Sequence, residues 1–112
     1  MGVNRVILLG NAGRDPEMNY ADPENPVANV TLATNERTPG GQNITEWHRV
    51  VMTGQKALIA ERYIRKGTKL YLEGRLRTRV YVDRYQIKHY ITEIYADNFE
   101  LLGRTDGGNA QQ

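Results

Sequence analysis

The sequence predicts an all-β fold: five strands closed into a barrel, with one helix between the third and fourth strands. Three observations carry that expectation. The segment Thr68 to Asp83 alternates apolar and polar residues almost without a break, which is the period of a strand. Three β-type segments precede the single helical stretch and two follow it. Gly74 interrupts the longest strand in mid-run, where a barrel strand must bend sharply.

Taken in order, Val3 to Leu9 is an apolar run ending at Gly10 and reads as a buried strand. Asn11 to Pro26 holds Gly13, Asp15, Pro16, Pro23 and Pro26 and reads as loop. Gly10-Asn11-Ala12-Gly13 lacks the Gly-Lys-Ser/Thr ending of a phosphate loop and reads as a turn. Val27 to Thr34 is rich in β-branched residues, Thr38 to Asn43 is a turn, and Ile44 to Met52 is a third strand. Gln55 to Lys66 carries good helix formers, with Ala57, Ala60, Tyr63 and Ile64 on one face. Arg65 and Lys66 suit the negative end of its dipole, and Gly67 suits its C-terminal cap. Tyr63 is expected in the core.

In the long strand, Leu70, Leu72, Leu76, Val80 and Val82 share one face, expected to be buried. Lys69, Tyr71, Glu73, Arg75, Arg77, Arg79 and Tyr81 share the other. Asp83 to Gln86 turns the chain, and Ile87 to Ala96 returns as its partner. This order fits a five-stranded OB-fold barrel plugged by its helix. Residues 1–103 are expected to form that one domain, and 104–112 a disordered tail with nothing to bury.

Charge is unevenly distributed. Residues 1–48 carry three Lys/Arg and six Asp/Glu; residues 49–88 carry eleven and three; residues 89–112 carry one and four. The net values are therefore −3, +8 and −3. Seven of the nine aromatics lie between Trp47 and Tyr95, so they interleave with the positive stretch. That combination points to nucleic acid rather than to a merely solvated face. The chain has no cysteine, and neither His48 nor His89 has a partner at metal-ligand spacing, so no metal site and no cofactor are expected. No paired carboxylates or nucleophile–base set stands out, so no catalysis is expected. No apolar run approaches the ~18 residues of a membrane span, and Met1 to Asn4 lacks a signal-peptide layout. A cytoplasmic, nucleoid-associated protein is the expectation.

Arg75, Arg77, Arg79 and Tyr81 stand at the centre of the candidate site. Alternate residues of a strand project to one side about 6.6–6.8 Å apart, close to the repeat of an extended nucleic-acid strand. Guanidinium groups bind phosphate oxygens and stack on bases, and tyrosine offers a flat face to any base. A lone Trp in a small domain is more often core. Trp47, however, is flanked by Thr45, Glu46, His48 and Arg49, and that polar flank favours an exposed stacking position beside Arg49. Tyr71, Tyr85 and Tyr90 extend the platform; Tyr95 is left to packing. With Arg5, Lys56, Lys69, Arg84 and Lys88 as further phosphate contacts, the candidate set for holding a single nucleic-acid strand is complete.

Gly2 to Asn11 with Gly13-Arg14-Asp15-Pro16-Glu17, then Thr45 to Val51, Tyr63 to Gly67 and Tyr71 to Arg79, resemble the bacterial single-stranded DNA-binding proteins. The likeness runs in register from about residue 2 to 103. It implies an OB fold, a homotetramer and sequence-tolerant wrapping of single-stranded DNA during replication, recombination and repair. It also implies base stacking at Trp47 and at Tyr81, where many members carry tryptophan, and a subunit-interface role for His48. Thr38 and Thr53 stand where some members have further aromatics, and the hairpin Asp83 to Tyr90 lacks a turn glycine common there. Members usually end in an acidic, hydrophobic-tipped tail that recruits replication and repair enzymes. The present sequence ends Ala110-Gln111-Gln112, so such partners are expected only where that tail accompanies the domain. An RNA-binding or primosome-type OB protein is the rival within nucleic-acid binding. An OB-type scaffold or oligosaccharide binder is the rival outside it, since a fold does not dictate a function.

Overall fold

A computed structural model describes residues 1–104. Its elements are β1 (Val6–Ala12), β2 (Glu17–Asn19), β3 (Val27–Arg37), β4 (Asn43–Thr53), α1 (Gln55–Tyr63), β5 (Thr68–Val82) and β6 (Lys88–Arg104). The strands lie in the order β1-β5-β6-β4-β3-β2, and β1 also pairs with β3. Five strands thus close into the expected OB barrel, and β2, too short to show a period, adds to the edge of β3. All neighbours are antiparallel except β4 and β6, which run parallel at Val50↔Ile94 and Val51↔Tyr95.

Closure depends on two close backbone approaches. β1 pairs with β5 from Val6↔Gly74 to Asn11↔Lys69 and reaches β3 at Asn11↔Ala33 and Ala12↔Leu32. At Gly10 a Cβ would stand 2.2 Å from the Ala33 carbonyl oxygen, so only glycine lets β1 pass there. Gly10 therefore lies inside a strand, not in a turn. At Gly74 a Cβ would stand 2.2 Å from the Tyr95 carbonyl oxygen. The β5–β6 register also shifts there, from Glu73↔Asn98 to Gly74↔Ala96, leaving Asp97 as the bulged residue. This is the bend that the mid-strand glycine predicted.

The core combines Val30, Leu32, Val50, Met52, Leu70, Leu72 and Ile94 with Ala57, Ala60 and Ile64 from the helix side. Burying each of the larger aliphatic side chains is worth about 1.5–3 kcal/mol. The helix stops at Tyr63, three residues earlier than its sequence suggests, because Ile64 turns to extended backbone (φ −87°, ψ 130°) and is fully buried. The Arg65 guanidinium donates to the carbonyls of Glu61 and Ile64 and satisfies the helix end. Gly67 (φ +91°) donates its N–H to Ala12 O and leads into β5 instead of capping the helix. Tyr63, expected in the core, is exposed with Arg62 over its ring; Ile64 occupies the interior position.

β1 begins at Val6 instead of Val3. The pairing is nevertheless extended, because the Asn4 side-chain amide donates to Leu76 O and accepts from Leu76 N, both at 2.8 Å. Beyond that point β5 and β6 have only each other, and they leave the barrel as a two-stranded arm. Leu76, Val80 and Val82, expected to be buried, are exposed on it. The alternation marks a two-faced strand but not how far the barrel beneath it extends. β6 continues to Arg104; the rest of the segment expected to be a disordered tail, 105–112, lies outside the described residues.

Candidate nucleic-acid interface

The outer face of β4, β6 and β5 is one surface. Parallel pairing of Val51 with Tyr95 puts Trp47, Arg49 and Val51 on the same side as Tyr95, Glu93 and His89. Antiparallel pairing adds Arg75, Arg77, Arg79 and Tyr81 opposite Tyr95, Glu93, Ile91 and His89. The sequence-predicted centre is therefore assembled with Trp47 and Arg49, which arrive from another strand.

Trp47 is 60% exposed, as its polar flank suggested. Its ring lies across β3 against Gly13, whose absent Cβ would come within 2.4 Å of the Trp47 Cζ3 atom. Gly13 in turn is held by its N–H bond to Thr31 O. A side chain at position 13 would displace the indole from this seat.

The arginines are positioned by a buried acid. Glu93 is only 3% exposed, yet it accepts two hydrogen bonds from Arg79, at 3.0 and 3.3 Å, and lies 3.7 Å from Arg49. Its carboxylate bridges β5 and β4 through β6. That hydrogen bonding raises the Arg79 pKa further above its ordinary value. Both guanidinium groups remain about half exposed. Arg77 lies over the Tyr95 ring, 5.0 Å from its centroid, so Tyr95 packs beneath an arginine. Arg75 pairs with Asp97 at 3.3 Å.

At the far end, Tyr81 stacks on His89 with ring centroids 4.8 Å apart and planes 14° apart. His89 Nε2 donates to Asp83 Oδ2 at 2.8 Å. The other Asp83 oxygen accepts the N–H groups of Tyr85 and Ile87. The His89 hydrogen bond first, and those amide bonds with it, hold the Asp83 carboxyl below its usual pKa despite some desolvation. Gln86 takes the left-handed backbone (φ +64°) that a turn glycine would otherwise supply.

The remaining candidates are scattered around this surface. Arg5, Lys69 and Tyr71 belong to the β1–β5 side of the barrel, where Glu73 accepts from Arg5 at 3.0 Å and from the Tyr71 hydroxyl at 2.6 Å. The Glu73 bond raises the Tyr71 pKa. Arg84 and Tyr85 form the tip of the arm, the guanidinium 5.3 Å from the ring centroid. Tyr90 and Lys88 pair with Val80 and Val82, so they project from the opposite face of the arm to Tyr81. Lys56 lies beside Ile59, Asp97 and Phe99 in a cleft next to the helix. His48 faces away from Trp47 and hydrogen-bonds Thr34 Oγ1 at 2.9 Å. Glu93, Gly13 and His89 contact these side chains, and the linear reading did not assign them to the site. Alternation alone could have put Glu93 on the arginine face; the Glu93–Arg49 and Trp47–Gly13 contacts need the cross-strand register. Among the described residues no cluster of His, Cys, Asp or Glu could hold a metal ion, and no helix is long and apolar enough to cross a membrane.

An OB barrel carrying one cationic, aromatic face defines the class to which comparison with known proteins also leads. The family model described as "Single-strand binding protein family" matches residues 3–102. The chain belongs to that family. It is similar to a single-stranded DNA-binding protein of Bacteroides thetaiotaomicron (strain VPI-5482), with 46% identity over 121 aligned positions that cover 100% of this chain and 75% of the relative.

Proposed function

We propose that the protein binds single-stranded DNA without strong sequence preference and shields it during replication, recombination and repair in the cytoplasm. The single observation that carries this reading is the shared outer face on which exposed Trp47 and Tyr81 flank Arg49, Arg77 and Arg79. Bases stack on the aromatic rings whatever their identity, and the guanidinium groups neutralise phosphates between them. The chemistry is sequence-tolerant because none of these contacts requires a particular base edge. Family membership supports the same conclusion.

The protein acts as a homotetramer in this reading. Support comes from the apolar side chains that one copy leaves exposed, Ile7 and Leu9 on β1 and Leu76, Val80 and Val82 on the arm, with His48 on the face away from Trp47. Recruitment of replication and repair enzymes requires an acidic tail accompanying the domain. Light scattering at micromolar concentration gives four times the chain mass; a monomer mass overturns the tetramer.

Titration of Trp47 fluorescence with poly-dT at several salt concentrations tests the binding reading. Strong quenching is expected, and log affinity falls with log salt by about 0.7 per phosphate contact. Arg77→Ala flattens that slope, and Trp47→Ala costs about 1–3 kcal/mol of binding. Absence of quenching, or equal affinity for an uncharged oligosaccharide, overturns the proposal.

A further inference from the structure

The Tyr81–His89–Asp83 cluster on the arm places a second ring directly behind a candidate stacking residue. We propose that His89 is the rear ring of a two-ring stacking platform fronted by Tyr81, and that it holds the phenol in place for a base of single-stranded nucleic acid. The inference rests on the reading that this face binds single-stranded DNA.

The geometry is specific. Tyr81 and His89 are cross-strand partners, and their rings are nearly parallel at 4.8 Å. An imidazole behind the phenol restricts the side chain to one orientation, which lowers the ordering cost when a base stacks in front. Tyr81 is still 44% exposed, so room for a base remains. His89 is itself fixed by its Nε2 bond to Asp83, and Asp83 is fixed by the Tyr85 and Ile87 amides. The turn that folds the arm therefore also sets the angle of the platform.

By register the nearest charged side chain on the same face is Arg79, which is directed to Glu93 and not to the platform. Arg84 lies in the turn over Tyr85, and Lys88 projects to the opposite face.

Two variants test the proposal. His89→Phe keeps a rear ring; His89→Gln keeps a polar side chain but no ring. Affinity for a poly-dT oligomer is measured at pH 8, with circular dichroism on each variant. His89→Phe is expected to bind as the unsubstituted protein does, and His89→Gln about threefold or more weakly. Equal affinities of the two variants overturn the inference and leave the binding function standing. Unsubstituted protein that fails to bind poly-dT overturns the function itself, and the platform with it.

Discussion

The indole of Trp47 occupies the space that a side chain on Gly13 would fill, with 2.4 Å separating the Cζ3 atom from the missing Cβ. The exposed ring thus lies against the barrel wall at Gly13. Gly13→Ala or Gly13→Val is expected to lever the indole outward. Trp47 emission then shifts to the red, and poly-dT affinity falls severalfold. Stability changes little, about 1 kcal/mol or less, because a half-exposed ring escapes the overpacking that a buried one suffers. Unaltered emission and affinity in Gly13→Val would show that the glycine does not position the ring.

Glu93 is a buried anion between the Arg79 and Arg49 guanidinium groups. Glu93→Gln preserves its shape and removes the charge that gathers Arg79 and Arg49. A loss of about 1–3 kcal/mol is expected in urea unfolding. Lost charged hydrogen bonds account for it, and hydration of the exposed guanidinium groups keeps it below the penalty for a fully buried pair. DNA binding weakens through disorder of the two arginines even though net charge rises by one. An unchanged urea midpoint would place the arginines under another control.

Gln86 pays for its left-handed backbone at the tip of the arm. That conformation costs a residue bearing a Cβ about 1–2 kcal/mol. Gln86→Gly relieves it, while glycine's freedom in the unfolded chain returns part of the gain. A net stabilisation of about 0.5–1 kcal/mol is expected in the urea midpoint. A lower midpoint would mean that the glutamine side chain supplies more than its backbone costs.

The Asp83 carboxyl has a folded pKa depressed by His89 and the turn amides. A group of this kind contributes stability that is complete above its unfolded value, about 3.9. The contribution disappears as pH falls through the lower folded value. Between pH 5 and pH 3, unfolding midpoints of the unsubstituted protein and Asp83→Asn should therefore converge. Parallel acid profiles would exclude Asp83 as a source of the pH dependence.

Local periodicity and turn chemistry carried much of this protein in its sequence. The alternation of β5 predicted its arginine face, Gly74 its bend, and the polar flank of Trp47 its exposure, because each depends on residues a few positions apart. The five-stranded closure followed from element order. Tertiary structure decided what depends on contacts between distant strands. Whether Tyr63 or Ile64 entered the core turned on where the helix met the barrel, since both lay on one helical face. Leu76, Val80 and Val82 look like core residues by period, yet the barrel wall ends before reaching them. Tyr90 differs from Tyr81 only in the side of the arm set by register. The bridge from Arg79 through Glu93 to Arg49 spans three strands, and the seat of Trp47 on Gly13 joins residues 34 positions apart. Pairing register, which no single stretch of sequence contains, turns those separate side chains into one surface.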